Sequence, residues 1–142
     1  MNTKYILDTF QKIHKDLYIE IDKDEPGQLI FHAPHCTVRP FDDDILIRFI
    51  VMENGFVFEA IFDSLEITSA NLWALNTFNQ DNTFFTAFIS EHAEGVYLLH
   101  IRAAVTMIEN EEQTIDSINF YLATFLSDMM EEYLLPLTQL TK

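Results

Sequence analysis

Cysteine, glycine and proline are all scarce in this sequence of 142 residues, which contains one, three and four of them, respectively. A single cysteine cannot form an internal disulfide, so no feature points to an oxidising compartment. Phosphate-binding loops need clustered glycines, because backbone amides must approach the phosphate closely. Gly27, Gly55 and Gly95 are far apart, and each is predicted to lie in a hairpin turn. The glycine count therefore excludes a nucleotide-binding loop and the G-x-S-x-G elbow of α/β-hydrolases.

Positive charge is also scarce: 8 Lys and Arg residues stand against 23 Asp and Glu residues, which gives a net charge of −15. Nucleic acid and anionic lipid both demand a cationic surface, so neither nucleic acid nor a membrane is expected as a partner. The sequence has no apolar run near the roughly 18 residues that a membrane span needs. Charged residues also interrupt residues 1–16, unlike the apolar region of a secretory signal. These absences predict a cytoplasmic protein whose partners are proteins or small molecules.

Apolar residues, by contrast, are abundant. The hydrophobic fraction is 49%, and 13 residues are phenylalanine, which is enough for a packed core in a single domain spanning residues 1–142. Alternating and helical apolar patterns follow one another in the order α-ββββ-α-ββ-α. Short turns between adjacent strands imply an antiparallel sheet, so we predict an α+β fold with five to six strands and three helices.

The clearest local signal is the hairpin "ILIRFIVMENGFVFEAIF". The Asn54-Gly55 pair is preferred at the centre of a type I′ turn, because both positions require φ > 0. A two-residue loop there places Val51 opposite Phe58 and makes one face of the hairpin wholly apolar. Arg48 and Glu59 fall on the other face, diagonally across the strand pair, where they can attract each other.

The chain is predicted to end in a helix of about 20 residues, followed by Pro136. Its apolar residues recur at helical spacing and are Ile115, Ile118, Leu122, Phe125, Leu126, Met129 and Tyr133. Three helices with narrow apolar stripes would cover one face of the sheet, yet both faces of the last two strands carry large apolar groups. We expect the second face to be a partner site, since apolar patches beyond about a few hundred Å² usually mark one. The candidate partner-binding residues are Phe84, Phe88, Val96 and Leu98. The alternatives are that a helix wraps around to cover this face or that the patch is closed in a homodimer.

The stretch "FHAPHCT" places two histidines beside the only cysteine and raises the question of a metal or catalytic site. Residues three apart on an extended strand are about 10 Å apart and point to opposite faces, so His32 and His35 share a metal only if the chain folds sharply at Pro34. Neighbours in a strand also point apart, which argues against His35 as a base for Cys36. We interpret the stretch as a strand end, with no cofactor. A metal-dependent or small-ligand enzyme using His32, His35 and Cys36 is the alternative.

Residues 56–105 resemble the YbjN-type domain of bacteria. The resemblance rests on an apolar hairpin, a helix with a Leu-Asn-x-x-Asn core, two further strands and a long closing helix; the core residues here are Leu75, Asn76 and Asn79. The order of elements matches over about residues 3–135. The family is similar in fold to type III secretion chaperones, which are small, acidic, usually dimeric cytoplasmic proteins that hold partner segments in extended form.

The resemblance implies a non-enzymatic protein-binding module, chaperone-like or regulatory, of the kind loosely assigned to sensory transduction regulation. A partner or effector segment would bind on the apolar sheet surface or add as a strand at an edge. A dedicated type III secretion chaperone for an effector and a purely structural subunit are the alternatives. The resemblance carries over no catalytic residue and no cofactor.

Overall fold

The computed structural model describes residues 1–62 and 69–140. Residues 63–68, which belong to the stretch that carries the family resemblance, lie outside the described residues. None of the described helices is long and apolar enough to cross a membrane. The elements are, in chain order, α1 (Thr3–Ile13), β1 (Glu20–Glu25), β2 (Gln28–Cys36), β3 (Ile45–Met52), β4 (Gly55–Phe62), α2 (Ser69–Asp81), β5 (Thr86–Ala93), β6 (Val96–Thr106), α3 (Glu111–Phe125), α4 (Asp128–Leu134) and a 3-10 helix (Leu135–Gln139).

The strands form one antiparallel sheet of six in the order β1-β2-β3-β4-β6-β5. The first four strands pair in chain order as antiparallel neighbours, with short turns after β1 and β3 and a longer connection, residues 37–44, between β2 and β3. After α2 the chain returns at the far edge of the sheet, so β5 becomes an edge strand and β6 fills the place beside β4. The prediction of an α+β fold with an antiparallel sheet is confirmed.

The hydrophobic core lies on one face of this sheet, which we call the covered face. The ring of Phe10 on α1 lies 5.2 Å from that of Phe31 and 5.4 Å from that of Phe49. On α3, the ring of Phe125 lies 5.3 Å from that of Phe58. Each buried aromatic side chain removes a large apolar area from water, which is the main stabilising term of such a layer. The covered face comprises Leu29, Phe31, Ala33, Ile47, Phe49, Val51, Phe56, Phe58, Ala60, Phe62, Ala87, Leu99, Ile101 and Ala103.

The turn between β3 and β4 corrects one prediction. Met52 pairs with Gly55, so the turn residues are Glu53 and Asn54, and Val51 lies opposite Phe56 instead of Phe58. Gly55 is needed for a different reason, because a Cβ at this position would lie 3.0 Å from the carbonyl oxygen of Val105 on β6. The pairing differs from the prediction by an even number of residues, so the same side chains still face the core.

The predicted single closing helix is also wrong, because α3 ends at Phe125 and α4 begins at Asp128. The hydroxyl oxygen of Ser127 accepts a hydrogen bond of 3.3 Å from the N–H of Met130 and caps the new helix. The break resets the helical phase, so Met130 is buried where the continuous pattern would have buried its neighbour Met129. The described residues therefore contain four α-helices and a 3-10 helix instead of three helices.

Candidate functional site

The candidate site is the sheet face opposite the core, which we call the open face. Its side chains alternate along each strand with those of the covered face, because successive strand residues point to opposite sides. Its apolar members are partly exposed and are Ile30, Leu46, Ile50, Val57, Ile61, Phe88 and Leu98. Its main polar members are His32, Arg48, Glu59, His100 and Arg102.

A row of ionisable residues crosses the open face at right angles to the strands. The strand register places Glu20, His32, Arg48, Glu59 and Arg102 side by side on β1, β2, β3, β4 and β6. Every basic residue of the row lies beside an acidic one: His32 pairs with Glu20, whereas Arg48 and Arg102 both pair with Glu59. Apolar residues flank the row on both sides and are Ile30, Ile50 and Val57 on one side and Leu46, Ile61 and Phe88 on the other.

Glu59 lies in this row between Arg48 and Arg102, and none of its surface is exposed. Arg48 donates from Nη2 to Oε1 of Glu59, and Arg102 donates to Oε2 from Nη2 and, at 2.9 Å, from Nε. Burial by itself would raise the pKa of Glu59, but the hydrogen bonds and charges of Arg102 and Arg48 outweigh it and hold the pKa below its ordinary value. The open face therefore contains a buried carboxylate that is ionised at neutral pH between two guanidinium groups.

The Phe88 ring, which stacks on His100, holds Arg102 in place. The rings of Phe88 and His100 stack with their centres 4.6 Å apart and their planes 1° from parallel. The guanidinium carbon of Arg102 lies 4.9 Å from the centre of the Phe88 ring, which is a cation–π contact. His100 is itself positioned by Ser90, whose Oγ lies 2.6 Å from Nε2. The cationic group is thus fixed on the open face, although 44% of the Arg102 side chain is exposed.

His32 lies at the other end of the row and contacts two carboxylates. Its Nδ1 lies 2.7 Å from Oδ2 of Asp22, and its Nε2 lies 3.0 Å from Oε2 of Glu20. Both ring nitrogens are engaged by β1, so neither is free to act as a general base in this arrangement.

The structure does not bring His35 and Cys36 to His32. His35 is exposed, and its Nδ1 lies 4.0 Å from Oδ2 of Asp44. Cys36 is buried in the core, and this burial, with the nearby charge of Asp44, raises the pKa of its thiol to about 11. A thiol of this kind is protonated at neutral pH and is a poor nucleophile. Within residues 1–62 and 69–140, no group of three or more His, Cys, Asp or Glu residues could hold a metal ion.

The predicted partner-binding residues divide between two places. Phe88 and Leu98 lie together on the open face, diagonally across the β5–β6 pair, and Val96 lies on the same side near the turn with 46% of its surface exposed. Phe84 precedes β5, and its ring lies 5.7 Å from that of Phe120 on α3, on the helical side of the molecule. Phe84 is therefore separate from the other three residues.

The cluster around Glu59 is the part of the site that sequence reasoning missed. Arg48 and Glu59 were predicted to attract each other diagonally, whereas they are directly opposite. Arg102 joins them only because β6 lies beside β4, with Glu59 and Arg102 paired. The one available signal was an acidic residue in the middle of an apolar strand, since a buried Glu is almost always paired.

Comparison with known proteins supports the fold. No family model matches this chain, and no curated protein matches it in sequence. The fold is similar to the crystal structure of YbjN from E. coli, described as a candidate transcription regulator, with a TM-score of 0.52 over 92% of this chain and 88% of that chain. The sequence identity is 16%, so the likeness shows a YbjN-like fold and nothing further.

Proposed function

We propose that this chain is a non-enzymatic, cytoplasmic protein-binding module, chaperone-like or regulatory, that binds a segment of a partner protein on the open face. The observation that carries the proposal is the contrast between the faces of one sheet: the core residues are buried, whereas the apolar residues of the open face stay partly exposed. The YbjN-like fold agrees with a regulatory role, because YbjN is itself described as a candidate transcription regulator.

The two sheet edges favour binding on the face over addition of a strand. On β5, the side-chain amide of Asn79 donates to the carbonyl oxygen of Ala87 at 2.9 Å and accepts from its N–H at 2.7 Å. These contacts use backbone groups that an added strand would need. On the opposite edge, β1 has the sequence EIDKDE, whose exposed charges discourage pairing with another strand.

The proposal includes no reaction. The raised pKa of the Cys36 thiol opposes a nucleophilic role, and the two carboxylates beside His32 oppose a role as base. Of these three residues only His32 lies on the open face, because Cys36 is buried in the core and His35 lies near Asp44.

Selection of short random peptides displayed on phage, with the purified protein as bait, tests this proposal. Ile50→Ser alters the open face, and Phe120→Ser is its matched control, because Phe120 is an exposed apolar residue on the helical side. We expect the selection to yield apolar peptides. These peptides should bind the unaltered protein and the Phe120→Ser variant equally well, and the Ile50→Ser variant at least tenfold more weakly. Absence of selected peptides, or loss of binding only in Phe120→Ser, would contradict the proposal. Thermal melts of both variants establish that they are folded.

A further inference from the structure

We infer that the bound partner segment carries one carboxylate, flanked by apolar side chains, and that this carboxylate binds between Arg48 and Arg102. The inference rests on the proposed function and names the chemistry of the partner at the same face. It predicts that an apolar segment without an acidic residue binds this face more weakly.

The first argument is an imbalance of charge at the centre of the open face. Arg48 and Arg102 bring two positive charges to the single negative charge of Glu59, so the three side chains retain one positive charge. Glu59 is fully buried, whereas 37% of the Arg48 side chain and 44% of the Arg102 side chain are exposed. The surplus charge is therefore on the groups that a partner can reach.

The second argument is that hydrogen-bond donors remain unused. A guanidinium carries five N–H donors in a planar fork that matches a carboxylate, and Glu59 engages only part of each fork. An incoming carboxylate can accept hydrogen bonds from the N–H groups that still face outward.

The third argument concerns the water that binding removes. A segment that covers Ile50, Val57 and Phe88 also strips water from the guanidinium groups between them. An uncompensated cation at a buried interface is costly, whereas a charge pair with good hydrogen bonds recovers most of that cost. Arg102 is already held against Phe88, so ordering this side chain on binding requires little additional loss of entropy.

The geometry of the face also predicts a spacing. Along β3 and β4, apolar residues lie two positions to either side of the charged row, which corresponds to about 7 Å. An extended segment aligned with the strands presents every second side chain to the sheet at the same interval. The matching pattern is therefore apolar–x–acidic–x–apolar.

Charge also favours this partner over two other possible occupants of the open face, a second copy of this chain and a strongly acidic chain. Face-to-face contact with a second copy around a two-fold axis at Glu59 would bring arginines against arginines. The net charge of −15 repels strongly acidic chains. The remaining fit is a segment whose only acidic residue is the one at the centre of the pattern.

The test uses a peptide from the selection described above and a twin in which its central Asp or Glu is replaced by Asn or Gln. Dissociation constants for the unaltered protein are measured by fluorescence anisotropy. We expect the amide twin to bind about tenfold more weakly. In the Arg48→Gln variant, which retains the Arg102–Glu59 pair, the ratio should fall toward one. The peptide pair on the unaltered protein decides the question even if this variant does not fold.

The outcomes separate the inference from the proposed function. If a peptide needs Ile50 for binding but its acid and amide twins bind the protein with equal affinity, the inference is overturned and the proposed function stands. Peptides that do not depend on Ile50 would overturn both. A dimer in solution that Ile50→Ser converts to a monomer would show that a second copy occupies the face, and would overturn the inference as well.

Discussion

The two faces of the sheet are built from the same strands, with alternate residues assigned to each, yet different interactions stabilise them. On the covered face, Phe31, Phe49 and Phe58 have no exposed surface and pack against aromatic rings on α1 and α3. On the open face, the residue with no exposed surface is Glu59, which is held by two arginines.

The difference shows how each face responds to change. Hydrophobic packing depends on volume and is indifferent to pH, because it is set by apolar area and by contact between neighbouring atoms. The cluster at Glu59 depends on charge and direction, because burying a carboxylate is favourable only while its partners remain. The covered face is therefore the main source of stability, whereas the open face presents a fixed pattern of charge and apolar surface.

Truncation of neighbouring residues on opposite faces should produce the largest contrast. Phe58→Ala creates a cavity on the covered face and is expected to lower the free energy of unfolding by about 4 kcal/mol. Val57→Ala, one residue away on the open face, should lower it by about 1 kcal/mol or less, because its surface is already partly exposed. Urea denaturation measures both values. Similar losses for the two variants would show that the open face is packed as tightly as the covered one.

Removal of the buried carboxylate is expected to have the next largest effect. Glu59→Ala leaves Arg48 and Arg102 beside each other with no counter-charge and should cost about 3 kcal/mol. Glu94→Ala is the matched control, because Glu94 is an exposed glutamate at the β5–β6 turn. Chemical denaturation at neutral pH compares the two variants, and an equal, small loss in both would contradict a structural role for the cluster.

The carboxylate of Glu59 also makes a pH-dependent contribution to folding stability, which the apolar covered face does not. The pKa of Glu59 in the folded chain lies below its ordinary value of 4.5, so the unfolded chain binds the proton first as the pH falls. The stabilisation is complete above pH 4.5 and is lost as the pH falls through the folded-state pKa. Melting temperatures of Glu59→Gln should therefore decline less steeply with acid than those of the unaltered protein. In Glu94→Gln the melting temperature should depend on pH as it does in the unaltered protein. Identical pH dependence in the unaltered protein and both variants would show that Glu59 is not the source of the acid sensitivity.

Asn79 stabilises the β5 edge of the sheet, which can be compared with the two faces. Asn79→Ala removes two hydrogen bonds to the backbone of Ala87 and should lower the free energy of unfolding by about 1–2 kcal/mol. Gln80→Ala, at an exposed position on the same helix, should change it by about 0.5 kcal/mol or less. Hydrogen exchange of the Ala87 amide provides a second measurement. Unchanged protection of that amide in Asn79→Ala would show that the edge is held by other contacts.

The smallest expected effect lies in the connection between the sheet and the layer that covers it. Met107 has a φ of 63°, a left-handed conformation that costs a side chain with an ordinary Cβ about 1–2 kcal/mol, and 88% of its surface is exposed. Met107→Asn should raise the free energy of unfolding by about 0.5–1 kcal/mol, because asparagine tolerates this conformation better. Met52→Asn, at an exposed position without positive φ, should give no such gain. Thermal denaturation of both variants would detect the difference.

Local patterns predicted much of the fold, and particular residues show where they failed. The two-fold alternation of β3 and β4 identified the apolar face correctly even though the turn was misplaced, because a shift by an even number of residues preserves the facing side. The role of Gly55 was not predictable, since it depends on the approach of β6 at Val105. Ser127 was similarly ambiguous, because a helical apolar pattern continues through it, and only the packing of Met130 and Leu134 shows that the helix is broken.

The sequence by itself determined the alternation of apolar residues, the acidity and the absence of motifs for nucleotide binding, because these follow from the order and type of side chains along the chain. Only the tertiary structure decided which face the helices cover and that Arg102 meets the carboxylate already opposite Arg48. The physical reason is that pairing between β4 and β6 joins residues 43 positions apart in the chain, whereas side-chain periodicity reports only on neighbours within one element.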